Sequence, residues 1–195
     1  NFNAPLKADS MTDFWRRWHI SLSTWIRDYV YISLGGNRRG KVFMYINQMI
    51  AMTACGLWHG ASLNFVLWGV IHGALVCIHK FWSQTIMRHD RHYHPSGIRR
   101  FFSVLITFHV ITFTWILFRC RDFDSAWIMI KQMVTKFNLS VLPDVFIAYK
   151  YVFILMLFAL FTHFLPNSWQ NCSIKILQKG GVVLSAVAIT IVIFI

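Results

Sequence analysis

The most constraining feature of this sequence is a long segment, residues 42–79, that contains no Asp, Glu, Lys or Arg. It is about twice as long as the 20 residues that a helix needs to cross a lipid bilayer. His59 lies in the middle of it, within Gly-Leu-Trp-His-Gly-Ala. An ionisable side chain inside a membrane is costly and often marks a functional site, although a neutral histidine can also link helices by hydrogen bonds. His59 is therefore the first candidate functional residue.

Composition indicates that the whole chain is an integral membrane protein. Of its 195 residues, 56% are hydrophobic and 13% are charged, whereas soluble domains have about 25% charged residues. The formal net charge is +12, and the basic residues cluster between apolar segments, as in cytoplasmic loops that face anionic lipid. No nucleic-acid-binding motif is present. The spacing of the four cysteines matches neither a disulfide framework nor a metal site.

Apolar segments predict about five transmembrane helices, so the predicted fold class is all-α, a polytopic helical membrane bundle. These segments cover approximately 42–58, 63–79, 101–118, 145–165 and the residues from 181 onward. Between the first two, Gly60, Ser62 and Asn64 predict a turn. Helical character is also predicted for residues 126–134.

The distribution of Lys and Arg predicts the orientation of these helices. The loops 37–41, 80–100 and 167–179 hold most of the basic residues, and five spans place all three on one side, the cytoplasm. Residues 119–144 also carry Lys and Arg and would lie on the opposite side, which is the weak point of this topology.

Residues 11–34 predict one amphipathic helix, which either lies in the membrane interface or folds into the protein as a re-entrant element. Ser10 can cap the helix, Asp13 completes a capping-box pattern, and Gly35-Gly36 ends it. Apolar residues at three- and four-residue steps predict a single apolar stripe, formed by Trp15, Trp18, Leu22, Trp25 and Tyr29.

A second histidine, His19, lies in this predicted helix among charged residues. Asp13 and Arg17 are four residues apart and can form an ion pair. Arg16, Arg17 and Arg27 are predicted to bind the phosphate groups of a substrate, because guanidinium groups suit phosphate oxygens. Anchoring to lipid phosphate is the alternative for these three arginines.

Two motifs resemble the signature of the membrane-bound O-acyltransferase (MBOAT) family. The first is Phe-Trp-Arg-Arg-Trp-His-Ile-Ser-Leu-Ser at residues 14–23, and the second is the Trp-His-Gly motif around His59. Leu-Gly-Gly-Asn-Arg at residues 34–38 is similar to the branch of bacterial alginate O-acetyltransferase membrane proteins, as is Phe-Thr-Trp-Ile-Leu-Phe-Arg-Cys-Arg-Asp-Phe at residues 113–123. The resemblance runs through the whole chain and is most specific over residues 11–73.

The resemblance implies a multi-pass protein of the bacterial cytoplasmic (inner) membrane that transfers an acyl group, expected to be acetyl, to a hydroxyl group. Family members are longer than this chain. Residues 1–195 are therefore expected to be the C-terminal part of a single membrane-embedded domain, with an N-terminal half missing. No bound cofactor is expected. The donor is expected to be a cytoplasmic acyl thioester, acetyl-CoA or an acyl carrier.

The resemblance also implies that His59 is the catalytic residue and that His19 is often needed for activity. A neutral imidazole can accept the hydroxyl proton near pH 7, or it can itself be acylated and relay the acyl group. The sequence leaves both roles open. Asn64 or backbone N–H groups are candidates for stabilising the oxyanion. His72, by contrast, is predicted to be a buried hydrogen-bonding residue.

No metal site is predicted. A loop contains His89, Asp90, His92 and His94, but the arginines that flank it would repel a cation.

The expected acceptor is an exported polysaccharide. The resemblance implies an extracytoplasmic acyltransferase or esterase-like partner protein, with membrane lipid around the helices and no nucleic acid. One alternative within the family is a teichoic-acid D-alanyl transferase, against which the Leu-Gly-Gly-Asn-Arg segment argues. A membrane transporter or a non-catalytic scaffold would explain the apolar spans and the buried histidines, but not both motifs.

Overall fold

A computed structural model describes residues 1–88 and 93–165, together with 168–169, 175, 179–182 and 186. Their regular structure is helical, which confirms the predicted all-α class. The chain divides into two compact units, Asn1–Ser140 and Val141–Ile195. Loop 167–179 and the span predicted from residue 181 lie mostly outside the described residues. The assignment of the chain to one membrane-embedded domain stays a prediction.

The first unit is built on long apolar helices joined by short connections. Its α-helices are α1 (Met11–Arg17), α2 (Ile20–Trp25), α3 (Lys41–His59), α4 (Leu63–Phe81), α5 (Gly97–Thr114), α6 (Ile116–Arg119) and α7 (Phe123–Thr135). Wider π-helical segments follow α2 and α4, at Ile26–Tyr31 and Trp82–Ile86. The helices predicted from hydropathy over 42–58, 63–79, 101–118 and 126–134 are confirmed as α3, α4, α5 with α6, and α7.

The single helix predicted over residues 11–34 is wrong, because the chain breaks after α1. That helix begins as predicted, with the Ser10 hydroxyl accepting a 3.2 Å hydrogen bond from the backbone N–H of Asp13. It ends at Arg17, and His19 then adopts left-handed backbone angles of φ 44° and ψ 55° before α2 starts.

Hydrogen bonds from the first residues of the chain compensate for this break. The backbone N–H of Asn3 donates to the carbonyl of Arg17 at 2.9 Å, and that of Ile20 donates to the carbonyl of Asn1 at 2.9 Å. Since the break frees backbone groups that a continuous helix would have paired, these two bonds satisfy part of that demand.

The break changes which side chains are buried in the segment after it. Of the predicted apolar stripe, Leu22 is buried within the protein, whereas Trp25 and Tyr29 are 50% and 67% exposed. Ile26 is buried instead, because the break and the π-helical segment alter the helical register. The core cluster that results contains Leu22, Ile26, Ala51, Cys55, Trp68, Leu117 and Ala126.

Two glycines allow the backbones of α3 and α4 to approach each other closely. A Cβ added at Gly56 would overlap the carbonyl oxygen of Phe65, and one added at Gly69 would overlap that of Met52. Small residues at such contacts are typical of helices that pack in membranes. The two helices therefore form a tight hairpin.

The turn of this hairpin follows His59 directly. Gly60 ends α3 with φ 156°, and a Cβ there would come within 2.8 Å of the Phe65 ring. Ser62 precedes the first residue of α4, so Asn64 lies within the first turn of α4. Gly60 and Ser62 therefore lie in the predicted turn, whereas the third predicted turn residue, Asn64, is the second residue of α4.

Two stretches within the described residues are long and apolar enough to cross a membrane, Leu63–Ile86 and Gly97–Arg119. A third is present if Leu139–Ala148 and Lys150–Phe164, which meet at a bend of 86°, together form one broken span. Polar side chains such as Asn47 lower the hydropathy of α3. The total of about five spans and their orientation stay predictions.

The second unit contains α8 (Leu142–Ala148) and α9 (Lys150–Phe164). The span predicted over 145–165 is therefore bent near Tyr149 rather than straight. Rings from the two helices meet at the bend, with Phe146 and Phe153 centroids 4.6 Å apart.

Candidate functional site

His59 is the last residue of α3, and aromatic rings surround it. Its imidazole makes edge contacts with Phe118 and Trp68, at centroid distances of 4.9 and 5.5 Å, and a tilted contact with Phe65 at 6.1 Å. These rings come from α4 and α6, so three helices meet around the imidazole. The contacts restrict the orientations that the ring can adopt, while leaving it partly accessible.

The structure brings the two predicted catalytic histidines together at one indole. The Trp58 ring lies 4.9 Å from the His59 ring and 6.1 Å from the His19 ring, and both contacts are close to perpendicular. The break after α1 makes this possible, since it places His19 at the start of α2.

Hydrogen bonds around Asn1 define which nitrogen of His19 carries the proton. The Asn1 side-chain oxygen accepts from the backbone N–H and the hydroxyl of Ser21, at 2.9 and 3.0 Å. Its amide nitrogen therefore faces His19 and donates to Nδ1 at 3.2 Å. Because Nδ1 is an acceptor, the neutral ring carries its proton on Nε2. His19 thus offers an N–H donor at that atom.

The backbone of His19 is also unusual for a residue other than glycine. A left-handed conformation costs an L-residue about 1–2 kcal/mol, and residues held in this way cluster at functional sites. The backbone strain therefore supports a functional role for His19, as does the sequence motif that contains it.

Asn64 is buried, and its side chain links α4 to the end of α6. Its amide nitrogen donates to the backbone carbonyl of Cys120 at 3.0 Å. Contact with a substrate oxyanion therefore stays a prediction.

A cleft of about 530 Å³ lies in the first unit, close to this cluster of rings. It reaches Cys55, one helical turn before His59 on α3, and Trp15, whose ring contacts Trp68 at 5.7 Å. Asp13 is an acidic member of its lining. The basic and titratable nitrogen-bearing side chains that line it are Arg16, Arg27, His79, Lys80 and His94. This excess of basic groups suits an anionic ligand.

The three arginines predicted to bind substrate have different surroundings. Arg16 and Arg27 line the cleft. Arg27 also pairs with the adjacent Asp28, at 2.7 and 3.3 Å, and these hydrogen bonds lower the pKa of the Asp28 carboxyl. Arg17 donates instead to Asp13 at 2.7 Å and to the Asn3 carbonyl at 3.4 Å.

Asp9, Asp13 and His94 bring three potential metal-ligand atoms within 4.8 Å of one another. However, His94 Nδ1 lies 2.7 Å from an Asp9 oxygen, and Arg17 lies at the same distance from Asp13. The two carboxylates therefore already have partners within the protein, and the fixed charge of Arg17 disfavours a cation. The other members of the histidine-rich loop, at 89–92, lie outside the described residues.

Sequence reasoning missed Lys80 and Trp68. Lys80 lines the cleft and donates to the Gln48 side chain at 2.8 Å. Lys80 could have been identified from the sequence, because it is the basic residue that directly follows the uncharged segment 42–79. Trp68 stands four residues from both Asn64 and His72, which is the spacing of one helix face.

This helical membrane protein brings two histidines to one indole, close to a basic cleft. The chain belongs to the membrane-bound O-acyltransferase family, whose family model matches residues 1–120. The family predicted from the two motifs is confirmed.

Relatives with assigned activities refine this placement. The chain is 40% identical over 134 residues to the peptidoglycan O-acetyltransferase of Helicobacter pylori, covering 69% of this chain and 24% of that protein. It is 44% identical over 133 residues to the probable alginate O-acetylase AlgI of Azotobacter vinelandii, covering 68% and 25%. Identity to the teichoic acid D-alanyltransferase of Bacillus subtilis is 28% over 131 residues, covering 63% and 33%. The chain spans about a quarter of the length of the first two relatives.

Proposed function

We propose that this chain carries the catalytic histidines of an O-acyltransferase in the bacterial cytoplasmic (inner) membrane. The enzyme moves an acetyl group from a cytoplasmic thioester donor toward the hydroxyl groups of an exported polysaccharide. The observation that carries the proposal is the convergence of His19 and His59 on Trp58. Acetyl transfer is favoured over D-alanyl transfer because identity is 40% and 44% to the two acetyl-transferring relatives, against 28% to the D-alanyltransferase.

In this mechanism His59 is the general base. Its imidazole accepts the proton of the acceptor hydroxyl while the hydroxyl oxygen attacks the thioester carbonyl carbon. The Nε2–H of His19 donates a hydrogen bond to the oxyanion that forms. Collapse of the tetrahedral intermediate then breaks the C–S bond, forms the ester and passes the proton from His59 to the departing thiolate.

The basic cleft is the proposed binding site of the donor. Coenzyme A and the prosthetic group of an acyl carrier both contain phosphate, which Arg16, Arg27 and Lys80 can bind. Because the cleft reaches Cys55, a thioester bound beside Cys55 would lie about one helical turn, 5.4 Å, along α3 from His59. The donor is a substrate, and the mechanism uses no bound cofactor.

The acceptor and partner follow from the same proposal. The two acetyl-transferring relatives are named for peptidoglycan and alginate, so the acceptor class is a polysaccharide. An extracytoplasmic acyltransferase or esterase-like protein would complete delivery of the acetyl group to the polymer.

The test is His59→Ala in membranes that contain the full-length protein. The ester content of the polymer should fall to background while protein abundance stays normal. His109→Ala is the matched control, since His109 is exposed on α5 and donates to the Leu105 carbonyl at 2.8 Å. Near-normal ester content in the His59→Ala variant would refute the proposal.

A second measurement separates the two possible roles of His59. Rapid quenching with radiolabelled acetyl donor should leave no acetyl group on the protein if His59 is a base. If the unmodified protein carries label and the His59→Ala variant does not, His59 is an acyl relay instead.

A further inference from the structure

The face of α4 near His59 carries a row of buried polar side chains that the proposed chemistry does not use. Asn64, Trp68 and His72 follow one another at four-residue intervals and are 2%, 3% and 0% exposed. Within the described part of the chain, Trp68 Nε1 and His72 Nδ1 have no hydrogen-bond partner. Burying polar atoms in this way costs free energy, most of all in an apolar environment. The row therefore calls for an explanation beyond packing.

His72 is tied to α5 by a directed hydrogen bond. Its Nε2 lies 2.8 Å from the Thr114 hydroxyl oxygen, and that hydroxyl donates its own proton to the Ile111 carbonyl at 2.7 Å. The Thr114 oxygen therefore accepts from His72, so His72 carries a proton on Nε2. This bond fixes both the tautomer and the ring plane of His72.

The fixed ring of His72 in turn supports Trp68. The two rings lie 4.3 Å apart at 35°, which is the shortest ring contact of Trp68. Trp15 packs edge-on against both, at 5.6 Å from His72 and 5.7 Å from Trp68. The indole of Trp68 then contacts His59 almost perpendicularly, at 5.5 Å and 87°. A continuous series of contacts thus runs from Thr114 to His59.

We propose that Thr114, His72 and Trp68 are positioning residues that hold the His59 ring in the orientation required for proton transfer. The inference rests on the proposed role of His59 as the base. The orientation of the His59 ring matters because reacting atoms must meet at about 3–3.5 Å with aligned orbitals. A misplacement of about 1 Å can cost a factor of 10² in rate.

Thr114→Val removes the hydroxyl and keeps the shape of the side chain. In the full-length enzyme, kcat should fall about tenfold while the KM for the acyl donor stays unchanged, because Thr114, His72 and Trp68 do not belong to the described lining of the cleft. Thr114→Ser restores the hydroxyl and should restore most of kcat. Thr112→Val is the matched control on the same helix, since the Thr112 hydroxyl bonds to the backbone carbonyls of Phe108 and His109.

His72→Gln tests the ring separately from the hydrogen bond. Glutamine keeps an N–H for Thr114 but lacks the flat ring that supports Trp68, so kcat should again fall. Combined with Thr114→Val, it should lower kcat no further than the more severe single substitution, since both act through one series of contacts. If Thr114→Val fails to accumulate in membranes, His72→Gln carries the test.

The outcomes separate this inference from the proposed function. An unchanged kcat in Thr114→Val or His72→Gln at normal abundance would overturn the positioning role, as would a change confined to the donor KM. His59→Ala is measured in parallel. If His59→Ala is inactive while the other variants are normal, only the positioning inference fails. If His59→Ala is active, the proposed function fails as well.

Discussion

Arg17 donates a hydrogen bond from Nε to Oδ2 of Asp13 across 2.7 Å, within the short helix α1. The carboxylate is 7% exposed and the guanidinium 22%, so the pair is largely shielded from water. Arg16, the preceding residue, instead lines the basic cleft. Two arginines that are adjacent in the sequence therefore have different surroundings.

Arg17→Ala should destabilise the protein, because it leaves the buried carboxylate of Asp13 without its charged partner. The expected loss is about 1–3 kcal/mol, measured as a lower thermal midpoint in detergent. Arg16→Ala should leave the midpoint nearly unchanged. Equal midpoints for the Arg17→Ala variant and the unmodified protein would contradict a structural role for this pair.

Arg16→Ala should raise the KM for the acyl donor and leave kcat almost unchanged, since the lost contact is made before and during the reaction alike. The increase should shrink at high salt, which screens exposed charges. Arg38→Ala provides the control, because Arg38 is exposed and does not belong to the described cleft lining. Equal changes of the donor KM in Arg16→Ala and Arg38→Ala would contradict a role of Arg16 in donor binding.

The backbone at His19 can be tested by comparing two substitutions. Both His19→Gly and His19→Ala remove the imidazole, and each should lower kcat by about two decades or more if His19 is a true acid–base or hydrogen-bonding partner. Glycine adopts φ 44° without strain, whereas an L-residue such as alanine adopts it at a cost of about 1 kcal/mol, so His19→Gly should be more stable by about that amount. A thermal midpoint for alanine at or above that for glycine would show that no strain is stored there.

The contrast between α3 and α1 explains how much of the fold hydropathy could predict. Helix α3 is a long apolar run whose end is marked by Gly60, so local sequence is enough to define it. The break at His19 contains neither glycine nor proline. It depends on hydrogen bonds from Asn1 and Asn3, which lie outside any helical window. Periodicity alone therefore predicted a continuous helix.

Gly69→Ala should destabilise the hairpin of α3 and α4, because the added methyl group would overlap the rigid carbonyl of Met52. Overpacking of this kind costs about 1–3 kcal/mol. Gly73→Ala should cost less, since its nearest neighbour is the flexible side chain of Met49 at 3.0 Å. Thermal midpoints of the two variants provide the comparison, and a larger loss at Gly73 would contradict it.

Asp122 should make the stability of α7 depend on pH. Its carboxylate accepts a 2.8 Å hydrogen bond from the backbone N–H of Ser125, which lowers its pKa. The stabilisation is therefore complete above the pKa of the unfolded state, about 3.9, and is lost as pH falls through the lower folded value. At acid pH, the amide hydrogens of α7 should therefore exchange faster than the ordinary pH dependence of amide exchange predicts. Asp122→Asn keeps the cap and should remove this dependence.

The candidate site was only partly predictable for a similar reason. His19 and His59 could be identified because their motifs are local. The role of Asn64 could not, because its partner is the carbonyl of Cys120, 56 residues away. The support that His72 gives to Trp68 likewise depends on Thr114 in another helix. Such pairings follow from tertiary packing, which a single sequence does not display.

The glycine contacts between α3 and α4 have a consequence for how the proposed site would accommodate its acceptor. Backbones that touch at Gly56 and Gly69 leave no free space between the two helices, so the position of His59 at the end of α3 is tightly constrained. The segment around His19 is held by hydrogen bonds to Asn1 and Asn3 instead. Under the proposed function, adjustment of the described residues to sugars of different size would therefore fall to the segment that carries His19.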